Sequence, residues 1–599
     1  MGNFSLAQKR IRSLIFVLAL VIALFCVRLV QVQAIQAGEY RNRAINEMEN
    51  TKILPAPRGT ITDVNGVAFA RSVAATSIVV DQTQISDPTA TSALIAPILG
   101  MSTAEVEAKI TGTRKWNMVL ENAKPLVWQK LTAAIAEYNK AFPSMSPQRI
   151  IGFYSERGYI REYPSGSLIA SLIGFVNHDG VGASGLESSK NSLLAGTIGK
   201  YSFASAGGAE IPGSQSEIIP AKQGSGIRLT IDRDVQWVAA EAIAKAVKDS
   251  GAVSGTVIVM DPKTGEILAH ATAPTYDPND TSRVSLVEMR NPSVQEVYEP
   301  GSTGKVITMA AAIEEKKVTP NTVFTVPYAL QRSNKLFHDH EKHPTERLTT
   351  SGILAISSNT GSIKVGELLS HQTLYSYLQK FGVGVSTGSG LQGESRGILR
   401  KVADWSGTTA PTMAFGQGYS VTALQATSIF ATIANDGVRV SPTVIAGITD
   451  ASGNFTPAGN RTSQRAVSAQ TAQALRLMME SVVSANGTAP SAAIPGYRVA
   501  GKTGTAMRID DTCGCYRGYT ASFIGFAPAD RPAYVISVTI QNPKGQHWGG
   551  TLAGPVFKKV MTFVLQSRHI APTGSTIVPV ALNEKDLQAK KVTNATTAG

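Results

Sequence analysis

Cysteine is scarce in this sequence: three residues in 599, at positions 26, 513 and 515, cannot build a disulfide scaffold. There is no long basic run, no zinc-finger spacing and no RNA-binding signature, so a net charge of +13 does not by itself imply nucleic acid. That charge suits an anionic partner such as a membrane surface or a cell-wall polymer. The chain has no Glu-Asp-x-x-Phe pattern of the kind that polymerises lipid-linked sugars, and no His-Glu-x-x-His protease signature. Charged residues make up 17% against 43% hydrophobic, which is a globular composition. A chain of this length exceeds one ordinary core, so two or more domains are expected.

One apolar run stands out. Leu14 to Val27 is unbroken, follows Lys9, Arg10 and Arg12, and continues past Arg28 through Leu29 and Val30. Counted as residues 11–32 it is long enough to span a bilayer, and its basic flank, residues 1–10, is expected to stay in the cytoplasm with the rest outside. The competing reading is a cleaved secretory signal, with Val32-Gln33-Ala34 as the processing region. Arg28 and the bulky residues around it make that region poor, so an uncleaved anchor is expected.

The rest of the chain centres on Pro300-Gly301-Ser302-Thr303-Gly304-Lys305, followed by an alanine-rich apolar run. Pro and Gly break what precedes, and the run reads as a buried helix with Ser302 at its start. Ser302 and Lys305 then share one face of the first turn, a nucleophile beside a base. Lysine takes a proton only if burial or another cation lowers its pKa. Alone this spacing is weak, and an ordinary serine cap with a solvated lysine explains it as well. Two further motifs change that: Ser357-Ser358-Asn359 after an apolar segment, and Lys502-Thr503-Gly504-Thr505 after Tyr497 to Gly501. Ser-x-x-Lys, Ser-x-Asn and Lys-Thr-Gly in this order form a serine acyltransferase set.

With these motifs the chain resembles the class B penicillin-binding proteins, peptidoglycan D,D-transpeptidases, from about residue 10 to about residue 565. Arg58 to Gly66, Arg161-Glu162-Tyr163-Pro164, and Gly182 to Glu187 with Leu194 to Gly199 look like the family's pedestal motifs. The resemblance implies an α+β multidomain protein: a transmembrane helix, a mixed pedestal (dimerisation-type) domain over 33–225, and a transpeptidase domain over 226–570. That last domain is expected to be an antiparallel sheet flanked by helices, as in serine β-lactamases. Hairpin strands are read at 255–260 and 266–271, further strands at 521–526 and 533–538, and a helix over 234–246. The segment from Ser102 to Tyr138 reads as helix-prone. Residues 571–599 lack periodicity and read as a flexible tail.

The resemblance further implies that Ser302 attacks the D-Ala-D-Ala carbonyl while Lys305 takes its proton, and that Ser357 relays a proton to the leaving group. Asn359 holds the substrate amide and the lysine. Lys502 supplies positive potential, Thr503 and Thr505 bind the substrate carboxylate beside Gly504, and the N–H groups of Ser302 and Thr505 form the oxyanion hole. It implies no cofactor and no metal. Implied partners are stem peptides, β-lactams, the membrane, a glycosyltransferase of the shape, elongation, division and sporulation family, and other division proteins. The form of the Gly182 and Gly196 motifs favours the septal role over an elongation-type enzyme. A D,D-carboxypeptidase differs only in accepting water. A β-lactamase needs a second base, for which Glu394 is the nearest candidate. A non-catalytic scaffold or a β-lactam sensor is the reading from another class. His338, Asp339, His340 and His343 have spacing compatible with a metal but lie in a loop with no matching distant ligand set. Cys513-Gly514-Cys515 is read as a structural or redox-sensitive loop pair.

Overall fold

The computed structural model describes residues 4–40, 49–206, 209–210, 217–510, 513–577 and 579–589. Residues 1–3 of the expected cytoplasmic tail and 590–599 of the expected C-terminal tail lie outside them. The first element is helix α1, Phe4–Val30. It is long and apolar enough to cross a membrane, and its most apolar window is 0% buried.

Contacts divide the chain into two compact units. The smaller holds residues 1–57, 74–159 and 196–223. In it the strand Glu49–Leu54 runs antiparallel to Gly199–Ala206, which also takes Glu217–Ile219. A core of its own gathers Ile78, Val80, Ile95, Val106, Ile110, Val119 and Leu131. Its helices follow local chemistry. Pro88–Leu99 opens on an Asp87 carboxylate that accepts from Ala90 N–H, and Thr103–Ile110 opens on a reciprocal Ser102–Glu105 capping box. The helix-prone reading of 102–138 is corrected in its middle, where Asn117–Ala123 forms a strand between Thr103–Ile110 and Pro125–Asn139. There Val119 is buried while Met118 and Leu120 pair with Val79 and Ile78, so a strand partner overrides local propensity.

The larger unit holds residues 58–73, 160–195 and 224–599. It includes the motif-bearing stretches that the sequence assigned to the pedestal. Arg58 and Arg161 both donate to the buried carboxylate of Glu187, at 2.5 and 2.7 Å, and Arg58 also donates to Asn191 Oδ1 at 2.8 Å. Three sequence motifs thus meet at one ion triad. Asn65-Gly66 turns the chain between Ile61–Thr62 and its antiparallel partner at 68–70, as the turn signal predicts.

The centre of this unit is a five-stranded antiparallel sheet of β1 (Ser254–Met260), β2 (Ile267–Ala273), β3 (Ala500–Asp510), β4 (Cys515–Ala527) and β5 (Tyr534–Gln541), in the order β2-β1-β5-β4-β3. The helices that matter for the site are α2 (Arg233–Ser250), α3 (Lys305–Glu314), α4 (Asn359–Gly366), α5 (Ala423–Ala434) and α6 (Gly549–Ser567). Val257, Val259, Phe523 and Val538 face one core with α2 and α6. Ile258, Met260, Ile524 and Phe526 join the other core with α3 and α5. Alternate residues therefore bury on opposite faces, which explains strands that are apolar without interruption. Among the described residues β3 stands at the edge of the sheet, with one side unpaired by any strand.

Within the stretch read as a flexible tail, Ala581, Leu582 and Glu584 are tied down. Thr349 Oγ1 donates to Ala581 O at 2.6 Å, Thr349 N–H to Leu582 O at 3.0 Å, and Arg347 pairs with Glu584 at 3.1 Å. Backbone carbonyls and one ion pair supply the anchors, and these leave no hydrophobic period in a sequence.

Candidate active site

The turn that carries Ser302 is a 3₁₀ segment, Gly301–Gly304, that runs directly into α3. Every residue from Lys305 to Ala312 is buried, so the small side chains of Ala310, Ala311 and Ala312 let this helix run through the interior. Gly301 has φ +54°, and a Cβ there would come within 2.9 Å of Ala506 on β3. A Cβ on Gly504 would lie 2.4 Å from Ser522 Oγ and 3.0 Å from Thr303. Both glycines allow the edge strand to press on the turn that carries Ser302, which is itself half-buried.

Ser357 sits between the helix Thr350–Ala355 and α4 with φ +64°, a left-handed conformation unusual for a non-glycine residue. This places both its carbonyl and its hydroxyl before Lys305. The Lys305 amine donates to Ser357 O, to Asn359 Oδ1 at 2.7 Å, and to Ser357 Oγ at 3.3 Å. Lys502 on β3 reaches the same hydroxyl at 2.8 Å, and Thr503 O and Oγ1 at 3.3 Å. Among the described residues Lys305 makes no hydrogen bond to Ser302. Its amine is held instead by Ser357 and Asn359 of the second motif. Thr503 Oγ1 meets Thr488 Oγ1 at 2.8 Å, and Thr505 Oγ1 accepts from Gly549 N–H at 3.2 Å.

Both lysines are fully buried. Desolvation pushes the Lys305 amine down to about 7, opposed by the negative charge of Asp339. Lys502 is driven well below the ordinary lysine range by burial first and by the charge of Lys305 second. Two ammonium groups sharing one hydroxyl repel each other, which disfavours charging both lysines at once.

Behind the Ser-x-Asn motif lies Asp339, buried and accepting from Ser358 Oγ at 2.6 Å, Asn359 N–H at 2.5 Å and Thr360 N–H at 2.9 Å. On sequence alone Asp339 counts with the histidines as a metal candidate, and its place just before the Ser-x-Asn motif reads as non-catalytic; its hydrogen bonds to that motif come from the structure. Two of the neighbouring histidines do not reach the Asp339 carboxylate. His338 Nδ1 lies 2.8 Å from Asp339 O, and the His340 ring meets the Trp548 ring edge-on at 4.3 Å. Burial, followed by the charge of Lys305, lowers the His340 pKa.

Glu394 is engaged by Ser386 Oγ at 2.7 Å and by Thr387 N–H and Oγ1 at 2.7 and 2.5 Å, which closes its own loop. Cys513 and Cys515 are joined in a disulfide at the turn between β3 and β4. Next to it, Tyr516 OH donates to Glu299, 3.2 Å from either carboxylate oxygen, and Glu299 also accepts from Gly418 N–H at 2.9 Å. Burial raises the Glu299 pKa. The sequence stretch around Ser302 contains Glu299 but gives no sign of these partners.

Residues 255–562 match the penicillin binding protein transpeptidase domain, and residues 53–229 match the penicillin-binding protein dimerisation domain. The chain is 35% identical to penicillin-binding protein PbpB of Mycolicibacterium smegmatis, covering 94% of this chain and 91% of that protein. It is 32% identical to a probable peptidoglycan D,D-transpeptidase, PenA, of Neisseria meningitidis, over 95% and 94%. Among solved structures, penicillin binding protein 3 of Mycobacterium tuberculosis in complex with ampicillin superimposes with a TM-score of 0.70 at 31% identity, over 89% of this chain and all of that one.

Proposed function

The chain belongs to the class B penicillin-binding proteins, and from that premise we propose that it cross-links peptidoglycan stem peptides through an acyl-enzyme on Ser302. The observation that carries this reading is the Ser357 hydroxyl shared by Lys305 and Lys502, which unites the three motifs at one point. Ser302 Oγ attacks the carbonyl carbon between the two terminal D-alanines and gives its proton to Lys305 Nζ. The N–H groups of Ser302 and Thr505 hold the oxyanion, worth several kcal/mol when well aimed. The C–N bond then breaks, and the departing amine takes a proton passed from Lys305 through Ser357. An amine of a second stem attacks the ester carbonyl, Lys305 removes its surplus proton, and the C–O bond to Ser302 breaks as Lys305 returns that proton to Ser302 Oγ.

Substrate sets the charge of the lysine pair. The substrate's terminal carboxylate, received by Thr503, Thr505 and Lys502, favours the charged form of Lys502. The Lys502 cation in turn keeps Lys305 neutral and basic. β-Lactams enter the same cycle and stop at the ester.

Helix α1 anchors the chain with its short N-terminus in the cytoplasm and its catalytic domain outside, and the basic flank at Lys9, Arg10 and Arg12 supports that direction. The Gly182 to Glu187 and Gly196 to Gly199 motifs support a septal role beside a polymerase of the shape, elongation, division and sporulation family and other division proteins. Intact protein is expected to capture a fluorescent penicillin, and a Ser302→Ala variant is expected not to. Equal labelling of the two would refute the mechanism and leave a scaffold. Mass spectrometry of products formed with a D-amino acid acceptor separates transfer to an amine from transfer to water. A fluorescent fusion that marks side walls instead of septa would overturn the division role.

A further inference from the structure

His343 lies behind Asp339, four residues on, with its side chain 17% exposed. Its Nδ1 is 2.7 Å from the carbonyl oxygen of Pro344, and its Nε2 is 3.1 Å from Asp339 Oδ2. A backbone carbonyl only accepts. The Asp339 carboxylate already accepts from Ser358 Oγ, Asn359 N–H, Thr360 N–H and, at 3.3 Å, Thr360 Oγ1, which leaves it as an acceptor toward the ring as well. A neutral imidazole has one N–H and one lone pair, so it satisfies only one of these two contacts and aims its lone pair at an oxygen in the other. The imidazolium satisfies both.

We propose that His343, held as an imidazolium between Pro344 and Asp339, is a positioning residue whose loss of a proton slackens the Ser357–Asn359 motif and slows acylation of Ser302. The proposal rests on the acyltransferase reading and adds to it an alkaline control of the same site. Groups facing His343 from the surrounding elements favour its charge. Asp339 follows the strand Lys335–His338, and Glu346, at the start of the strand Glu346–Thr349, lies 4.0 Å from Nδ1. The Tyr328 ring stands edge-on to His343 at 6.0 Å between centroids and also lies 5.8 Å from the His338 ring. The contact with Pro344 O, together with the hydrogen bond to Asp339 and its charge, raises the His343 pKa above that of an ordinary histidine, against a desolvation that lowers it.

Asp339 links this residue to the chemistry. Its carboxylate holds the N-terminus of α4 and the Asn359 backbone, and Asn359 Oδ1 in turn holds Lys305. The Asp339 charge also favours the protonated form of Lys305. When His343 becomes neutral, the carboxylate loses its counter-charge. The motif loosens, and Lys305 holds its proton more strongly. Both consequences slow the reaction, so the rate rises as Lys305 loses its proton near pH 7 and falls again as His343 loses its own.

The test is the second-order rate of Ser302 acylation by a fluorescent penicillin from pH 5.5 to 9.5, in the full chain and in His343→Gln, whose amide donates to Asp339 at every pH. The wild-type rate is expected to fall roughly tenfold on the alkaline side, the loss that follows when a charge-assisted hydrogen bond goes. The variant is expected to keep its acid limb and lose the alkaline one. An unchanged alkaline limb in a folded variant overturns the proposal, as does a uniform loss of rate with the profile's shape intact, which marks a merely structural residue. A ¹⁵N spectrum of the histidine side chains supplies a readout independent of activity: His343 should show both nitrogens protonated at pH 7, and a neutral tautomer there overturns the proposal. Failure of the wild-type protein to acylate at any pH would instead strike the acyltransferase reading.

Discussion

In the proposed mechanism Lys305 serves as a base only when it is neutral, and burial brings its pKa to about 7. Below that value the amine is protonated and unreactive, so the acylation rate of the free enzyme should drop about tenfold per pH unit on the acid side, as stopped-flow fluorescence with a penicillin would measure. An acid limb near pH 10, the ordinary lysine range, would show that Lys305 is not desolvated in solution. Ser357→Ala removes the hydroxyl shared by both lysines. It is expected to cut acylation by roughly a hundredfold, in the range of lost proton transfer, with little change in Tm. A large fall in Tm without a fall in rate would assign Ser357 to the fold alone. These three motifs were legible because each packs its chemistry into a few adjacent residues on one turn or strand. Asp339 was not, since its partners come from another segment, and neither was Glu299, whose partners Gly418 and Tyr516 lie 119 and 217 positions away.

At the level of elements, β2 carries a test of its own. His270 has no exposure to solvent, its Nε2 pairs with Ser293 Oγ, and burial depresses its pKa to about 4. Between the unfolded value near 6.5 and the folded value, the unfolded chain binds a proton that the native state refuses. Stability is therefore intact above about pH 6.5 and is lost as pH falls toward 4, by about 3 kcal/mol from this group. Urea unfolding at pH 7 and pH 4.5 in wild type and His270→Gln should show a smaller acid loss in the variant, and an equal loss would remove His270 from the account. The paired strands of the sheet were legible from their apolar runs. Asn117–Ala123 was not, because seven residues between two helices become a strand only when residues 76–80 offer an edge.

For the molecule as a whole, the stretches at 58–73 and 160–195 fold with the larger unit although they are distant in sequence from most of it. Glu187 is fully buried, and its carboxylate balances the guanidinium groups of Arg58 and Arg161. Glu187→Ala leaves two buried cations without a counter-charge and is expected to destabilise the unit by about 3–5 kcal/mol. Chemical denaturation would measure this, and a cost under about 1 kcal/mol would mean the triad is solvated. If α1 anchors the chain, deleting residues 1–36 should release the protein from the membrane fraction while the acylation rate stays within about twofold, and a truncated protein that remains in that fraction would call for a second membrane contact.

The sequence by itself determined the family and the apolar helix, and it singled out Ser302, Lys305, Ser357, Asn359 and Lys502 as candidates, because short motifs encode chemistry locally. Tertiary structure alone decided which acceptors hold Lys305, that a single hydroxyl serves both lysines, and that Asp339 and His343 stand behind the second motif. The physical reason is that hydrogen bonds and desolvation depend on distance in space, which sequence spacing does not record.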